Sequence, residues 1–203
     1  MTVVLVRHGQ TDWNAERRIQ GWAPTPLSER GREQATRVGE HLAATYEFDR
    51  TIASDLRRTR ETADRIHRAG VEPTPTVDDR WRERDFGVYQ GLTYETMFEE
   101  YPEFSVGQSG ETALGVTPER GESLLDLRER VLTGLEDIDS DETVLVVTHG
   151  GPLYAVLSHA TGIDYATVID EDSQDNCAVN ELQHTAGAFE AVRKNDTGYR
   201  EST

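Results

Sequence analysis

Two short runs of uninterrupted apolar residues stand out from an otherwise polar chain, Val3 to Val6 and the TVLVVT stretch at 143–148. Runs of this length without alternation suit strands of a parallel sheet covered on both faces. Between and beyond them the apolar positions recur at helical spacing. Ala35, Val38, Leu42 and Tyr46 predict an amphipathic helix over 29–46, with Ser28 as its N-cap and Glu29 favourable in its first turn. Residues 48–53 read as a second strand. A further helix opens at Ser54-Asp55-Leu56, buries Leu56, Thr59, Ala63 and Ile66, and ends at Gly70. Residues 73–77 read as a third strand. Tyr94, Phe98 and Tyr101 mark a short helix that Pro102 ends. Leu124, Leu127, Val131, Leu135 and Ile138 form one face of another helix. Pro152 stands as the N1 residue of a helix carrying Leu153, Val156, Leu157 and Ala160. Residues 175–182 and 188–192 read as an antiparallel hairpin around His184-Thr185-Ala186-Gly187.

This alternation of strands and helices predicts an α/β fold: a three-layer α/β/α arrangement with a mostly parallel central sheet, helices on both faces and an antiparallel strand near the C-terminus. With 203 residues and no internal repeat, the expectation is one domain over 1–203 that buries about 70% of its unfolded surface. Residues 102–121 are rich in Gly, Ser, Glu and Pro with little periodicity. A loop of that length inside a compact domain reads as a lid, so 88–121 is taken as a substrate-facing insertion. The polar tail, 194–203, is expected to be loose.

Composition narrows the partners. The formal net charge is −17, and Lys194 is the only lysine among 21 basic residues. So negative a chain disfavours nonspecific binding to nucleic acid or to anionic membrane. Acidic excess with lysine nearly absent resembles the proteins of salt-accumulating halophiles, in which salt screens the self-repulsion. No stretch approaches the ~18 apolar residues of a membrane span, and the apolar start is too short for a signal peptide. The expected location is cytoplasmic. Cys177 is the single cysteine, which excludes an intrachain disulfide.

The chemistry gathers where the apolar strands end. The first ends on Arg7-His8-Gly9 and the second on His149-Gly150-Gly151. A lone histidine after a strand is most often structural. Two buried strands that each deliver an imidazole to one sheet edge make a phosphate pocket, because open α/β sheets bind ligands at carboxyl strand ends. Regular cysteine or carboxylate spacing is missing around both histidines, so no metal site is expected. Two other phosphatase readings fail. DIDSD at 137–141 ends a helix, whereas an aspartate nucleophile must follow a buried strand. Cys177 has Gln183 six positions on, where a cysteine phosphatase needs arginine. Arg57, Arg58 and Arg60 share a helix start, and spacing alone does not choose among them. Glu83 sits among Arg80, Arg82 and Arg84, which would keep it ionised and could equally form a surface ion-pair cluster.

LVRHGQTDWN at the start resembles the signature of the histidine phosphatase superfamily, also called phosphoglycerate mutase-like. SDLRRT resembles its second pocket motif, whose arginine aligns with Arg58. WRERDFGVYQG resembles the L-x-E-x-x-F-G pattern, placing Glu83 at the proton-donating glutamate. GES at 121–123 and NCAVNEL at 176–182 are similar to later family segments, with Asn176 near the pocket and Glu122 and Ser123 either at its rim or simply capping a helix. The resemblance implies His8 as nucleophile, Glu83 as general acid and base, and Arg7, Asn14, Arg58 and His149 as a phosphate clamp, with Gln20, Gly21 and Gly150 in the substrate-binding set. It implies no cofactor and a small phosphomonoester as partner; a homodimer is left open. Mutases of the family resemble E-R-H-Y-G where this chain has Glu83-Arg84-Asp85-Phe86-Gly87, and they carry paired arginines in the insertion, where 102–121 has only Arg120. The expected activity is therefore metal-independent phosphomonoester hydrolysis through phosphohistidine. A bisphosphoglycerate-dependent phosphoglycerate mutase is the first alternative, and a non-catalytic phosphate-binding regulator the second.

Overall fold

The computed structural model of the chain describes residues 1–138, 141–185 and 187–201. Its strands are β1 (Thr2–Arg7), β2 (Arg50–Ala53), β3 (Thr76–Val77), β4 (Thr143–Thr148), β5 (Val179–Thr185) and β6 (Ala188–Asp196). Its helices are α1 (Asp12–Ala15), α2 (Glu29–Thr45), α3 (Arg57–Arg68), α4 (Tyr94–Glu100), α5 (Val106–Ser109), α6 (Leu124–Glu136), α7 (Gly150–Thr161) and α8 (Tyr165–Glu171). One sheet runs in the order β3-β2-β4-β1-β5-β6, parallel from β3 to β1 and antiparallel from β1 outward through β5 and β6. The expected mostly parallel α/β fold with an antiparallel C-terminal addition is what the chain forms.

The central strands are apolar on both faces because each face is roofed. Val3 and Leu5 of β1, with Val144 and Val146 of β4, join the cluster beneath α6 and α7. Their neighbours Val4, Val6, Leu145 and Val147 point the other way, into the cluster beneath α2 and α3. A one-residue slip would exchange these two sets, so burial on both sides fixes register. Leu5 alone, fully buried, contributes about 1.5–3 kcal/mol. The helix starts also match their sequence signals: Ser28 caps α2 by accepting from the Gly31 N–H at 3.1 Å, and Ser123 caps α6 in a reciprocal box with Asp126.

Several elements differ from expectation, each for a physical reason. The third strand shrinks to Thr76–Val77 because Pro73 and Pro75 lack the N–H that a ladder needs. Pro152 is the third residue of α7 rather than its first, since the helix already begins at Gly150. The segment 102–121 folds into 3-10 turns and α5, and buries Phe104, Val106, Ala113 and Leu114. Phe104 joins Ile19 and Met97 in a third cluster; short turns carry too few residues to reveal a period. Helix α8 had no sequence signal of comparable length. The tail expected to be loose continues β6 to Asp196, and Tyr199 donates its hydroxyl to the Cys177 carbonyl at 2.7 Å. His41 of α2 stacks on Tyr199, with ring centroids 5.2 Å apart. Of the DIDSD stretch, 139–140 lie outside the described residues, as do Ala186 of the hairpin turn and 202–203 of the tail. No helix among the described residues is long and apolar enough to cross a membrane.

Candidate active site

Strand register brings the two histidines together. Arg7 of β1 pairs with Thr148 of β4, and one residue further the His8 N–H donates to the Thr148 carbonyl at 2.9 Å. The rings of His8 and His149 then stand 5.2 Å apart, inclined by 59°. Both residues are buried. His8 Nδ1 lies 2.7 Å from the Gly9 carbonyl. A carbonyl only accepts, so Nδ1 carries the proton and Nε2 presents its lone pair. Gly9 itself lies against the start of α2: a Cβ there would come within 2.4 Å of the Gly31 carbonyl oxygen. Burial first, then the charges of Arg58 and Arg7, hold the His8 pKa well below its ordinary value. Burial and the same two arginines, with His8 itself, do likewise for His149.

Arg58 is the arginine that the fold selects from its helix start. Arg57 pairs with Glu61 on the exposed face and Arg60 is exposed, whereas Arg58 is 1% exposed. Its Nε donates to His8 Nε2 at 3.2 Å, its Nη2 to the Gly21 carbonyl at 2.8 Å and its Nη1 to the Ala23 carbonyl at 3.3 Å. Burial lowers its pKa to about 10, which leaves it a cation at neutral pH. Gln20 supports that loop rather than facing outward with its oxygen, which accepts from the Thr11 and Thr25 hydroxyls at 2.9 and 2.7 Å. Asn14 Oδ1 is occupied by the Thr11 N–H and by Asn176 Nδ2, which leaves the Asn14 amide N–H groups as donors. Asn176 also donates to the His8 carbonyl at 3.0 Å. Arg7 donates Nη1 to the Gln174 carbonyl, while its buried Nε has no protein partner.

Glu83 is not neutralised by its sequence neighbours. Arg80 pairs with Asp78 and Asp137, Arg82 pairs with Asp55, and Arg84 donates to the carbonyls of Glu122 and Val116. The carboxylate instead accepts the Arg84 backbone N–H at 2.9 Å and the Gly151 N–H at 3.1 and 3.3 Å, at the amino end of α7. Backbone donors at a helix start suit an anion. Its peptide is pinned from behind. Trp81 is fully buried in the core two residues earlier, and Arg130 of α6 donates to the carbonyls of Arg80, Arg82 and Glu83 at 2.8–2.9 Å. Glu122 serves Arg130 and the Asp85 N–H, and Ser123 caps α6, so both act in the framework.

The sequence pattern of the histidine phosphatase superfamily (branch 1) matches residues 3–197. The chain belongs to the histidine phosphatase superfamily. It is 39% identical over 167 residues to the probable phosphoglycerate mutase GpmB of Citrobacter koseri, covering 80% of this chain and 76% of that one. Among solved structures it superposes on Bacillus stearothermophilus YhfR with a TM-score of 0.86 at 31% identity, over 98% of both chains. It also superposes on a mycobacterial glucosyl-3-phosphoglycerate phosphatase in complex with VO3, with a TM-score of 0.80 at 28% identity, over 97% of this chain and 99% of that one.

In this superfamily member the fold also recruits residues that sequence reasoning passed over. Ser54 does not cap α3; its Oγ lies 2.9 Å from His149 Nε2. His149 Nδ1 is buried without a protein partner. Trp22 donates its indole N–H to the Glu83 carbonyl at 2.7 Å and lies under the Arg82 guanidinium. Gly151 lets Glu83 approach, since a Cβ there would sit 2.2 Å from Glu83 Oε1. Tyr94 and Tyr154 wall a cavity of about 340 Å³ whose inner end is Arg7, Glu83 and Gly150. Burial, followed by the charge of Glu83, raises the Tyr94 pKa. Of these, Ser54 and Tyr94 had sequence signals for a helix start and a helix face, and Gly151 stood only as part of the junction after the second apolar strand. Among the described residues no three His, Cys, Asp or Glu side chains converge to hold a metal ion.

Proposed function

We propose that the protein is a metal-independent phosphomonoester hydrolase that works through phosphohistidine on His8. The observation that carries this reading is the His8 ring, buried and neutral, with Nδ1–H held by the Gly9 carbonyl and the Nε2 lone pair facing Arg58. A neutral nucleophile avoids the repulsion that an anion would meet at a dianionic ester. Arg58 Nε occupies that lone pair when no ester is bound, so it must pass to a phosphoryl oxygen before attack. Arg7 Nε and the Asn14 amide supply further donors. His149 adds a donor from Nδ1 if the Ser54 hydroxyl donates to Nε2, and that tautomer is part of the proposal.

His8 Nε2 attacks phosphorus as the ester P–O bond breaks. Glu83 takes up a proton as the dianionic ester binds beside it and gives that proton to the departing alkoxide. Water then attacks the phosphohistidine, returns a proton to Glu83 and releases phosphate as the P–N bond breaks. Because phosphoryl transfer passes through a loose transition state, positioning and electrostatic stabilisation supply most of the acceleration.

The test is metal-free release of phosphate from p-nitrophenyl phosphate in molar potassium chloride with chelator, beside His8→Ala. Turnover should vanish in the variant with its circular dichroism intact, and acid-labile phosphate should appear on the wild type alone. Undiminished activity in His8→Ala overturns the scheme. The mutase reading draws on the name of the Citrobacter koseri relative; interconversion of phosphoglycerates, outpacing their hydrolysis, would establish it. Binding of vanadate without turnover of any ester would favour the non-catalytic alternative.

A further inference from the structure

Beyond the phosphate-facing groups, the cavity that opens from Arg7, Glu83 and Gly150 has a distinct chemistry. Its walls are Phe86, Tyr94, Phe98, Phe104, Leu124 and Tyr154. They come from five parts of the chain: the loop after Glu83, α4, the turns of 102–121, α6 and α7. Two cations touch it. Arg7 stands at the inner end, where the phosphate would be. Arg84 is 3% exposed, donates to two carbonyls, and lies against the faces of Phe86 and Phe104 at 5.0 and 5.8 Å. Burial lowers its pKa to about 10. At the mouth stands Asp170 of α8, facing α5 so closely that a Cβ on Gly107 would come within 2.7 Å of its carboxylate.

A carboxylate carried by the leaving group would thus leave water for aromatic faces, find two of the three Arg84 nitrogens already held by carbonyls, and approach the charge of Asp170. An uncharged ring would find only favourable contact. A cationic group would meet rings whose faces Arg84 already shares. We infer that the leaving group is a neutral, ring-bearing alcohol rather than a carboxylate-bearing one such as glycerate. This specificity rests on the phosphohydrolase reading above.

The experiment compares kcat/KM for 2-phenylethyl phosphate, n-propyl phosphate and 3-phosphoglycerate, all esters of alkyl alcohols, so that leaving-group reactivity is similar. Burial of a phenyl group should favour the phenylethyl ester over the propyl ester by about 10- to 100-fold. 3-Phosphoglycerate should fall below the propyl ester. Phe98→Ala should reduce the phenylethyl-to-propyl ratio at least about fivefold, and Ile169→Arg, a half-buried wall position beside Asp170, should raise the 3-phosphoglycerate-to-propyl ratio. A phenylethyl-to-propyl ratio near one, or preference for 3-phosphoglycerate, overturns this inference while His8-dependent hydrolysis stands. Failure of all three esters together with p-nitrophenyl phosphate overturns the underlying reaction instead.

Discussion

Glu83 can be moved without being replaced. In Gly151→Ala the new methyl would sit 2.2 Å from Glu83 Oε1 and 3.2 Å from Leu127 Cδ2, and ordinary contact begins near 3.4 Å. Leu127 is fully buried and has little room to yield, so the carboxylate must retreat by at least about 1 Å. It then loses the hydrogen bond to the Gly151 N–H. Folding should change little, because the helical preference for alanine over glycine, up to about 1 kcal/mol, offsets the few tenths of an ångström that Leu127 must give. A 1 Å misplacement of a catalytic group costs about 100-fold, within the 10²–10⁴ range of general acid catalysis. The informative quantity is kcat/KM, which reports phosphohistidine formation alone. For n-propyl phosphate, whose alkoxide needs a proton, it should fall about 100-fold, near 2.7 kcal/mol in barrier. For p-nitrophenyl phosphate, whose phenolate leaves unaided, it should fall less than about fivefold. Equal losses for the two esters, with vanadate affinity and thermal stability unchanged, would refute the assignment of Glu83 as the proton donor.

Three further outcomes are expected. His149 has its pKa lowered by burial first, so the unfolded chain binds a proton below about pH 6.5 that the folded chain refuses; its share of stability is complete above that pH and lost as the pH falls. Urea titrations should therefore show wild type losing about 1.4 kcal/mol more than His149→Asn between pH 7.5 and 5.5, and parallel losses would remove the buried-neutral description. Ser54→Ala should weaken vanadate binding about tenfold, the scale of one hydrogen bond, with Ser54→Thr restoring part of it; unchanged affinity would free His149 from Ser54. With a net charge of −17, the urea midpoint should rise between 0.1 and 1 M potassium chloride, and less so when the exposed Glu40, Glu99 and Glu103 become glutamine. An identical rise in that triple variant would assign the salt effect to something other than self-repulsion.

The chain's local periodicities were enough for the frame. Val3 to Val6 and 143–148 are apolar at every position because both sheet faces are roofed, and a covered parallel strand has no other pattern. The histidine after each strand was legible for the same reason, since strand ends are sharp in sequence. What sequence could not hold is anything decided between segments. Arg57, Arg58 and Arg60 are alike as residues, and only the packing of α3 against β4 and the 20–23 loop buries Arg58 on His8. Glu83 looked neutralised by neighbouring arginines. Each of those arginines had a partner elsewhere, and the carboxylate went to the amino end of α7, 68 residues on. Ser54 read as a helix start until β2 placed it beside His149. The turns of 102–121 were opaque because their apolar residues divide between two clusters, Phe104 with Ile19 and Met97, and Val106, Ala113 and Leu114 with the core beneath α6 and α7, rather than following one regular spacing. Periodicity records which face of an element is buried; partners across the sheet and between loops are set by tertiary packing, because hydrogen bonds and close contacts depend on distance in space and carry no sequence period.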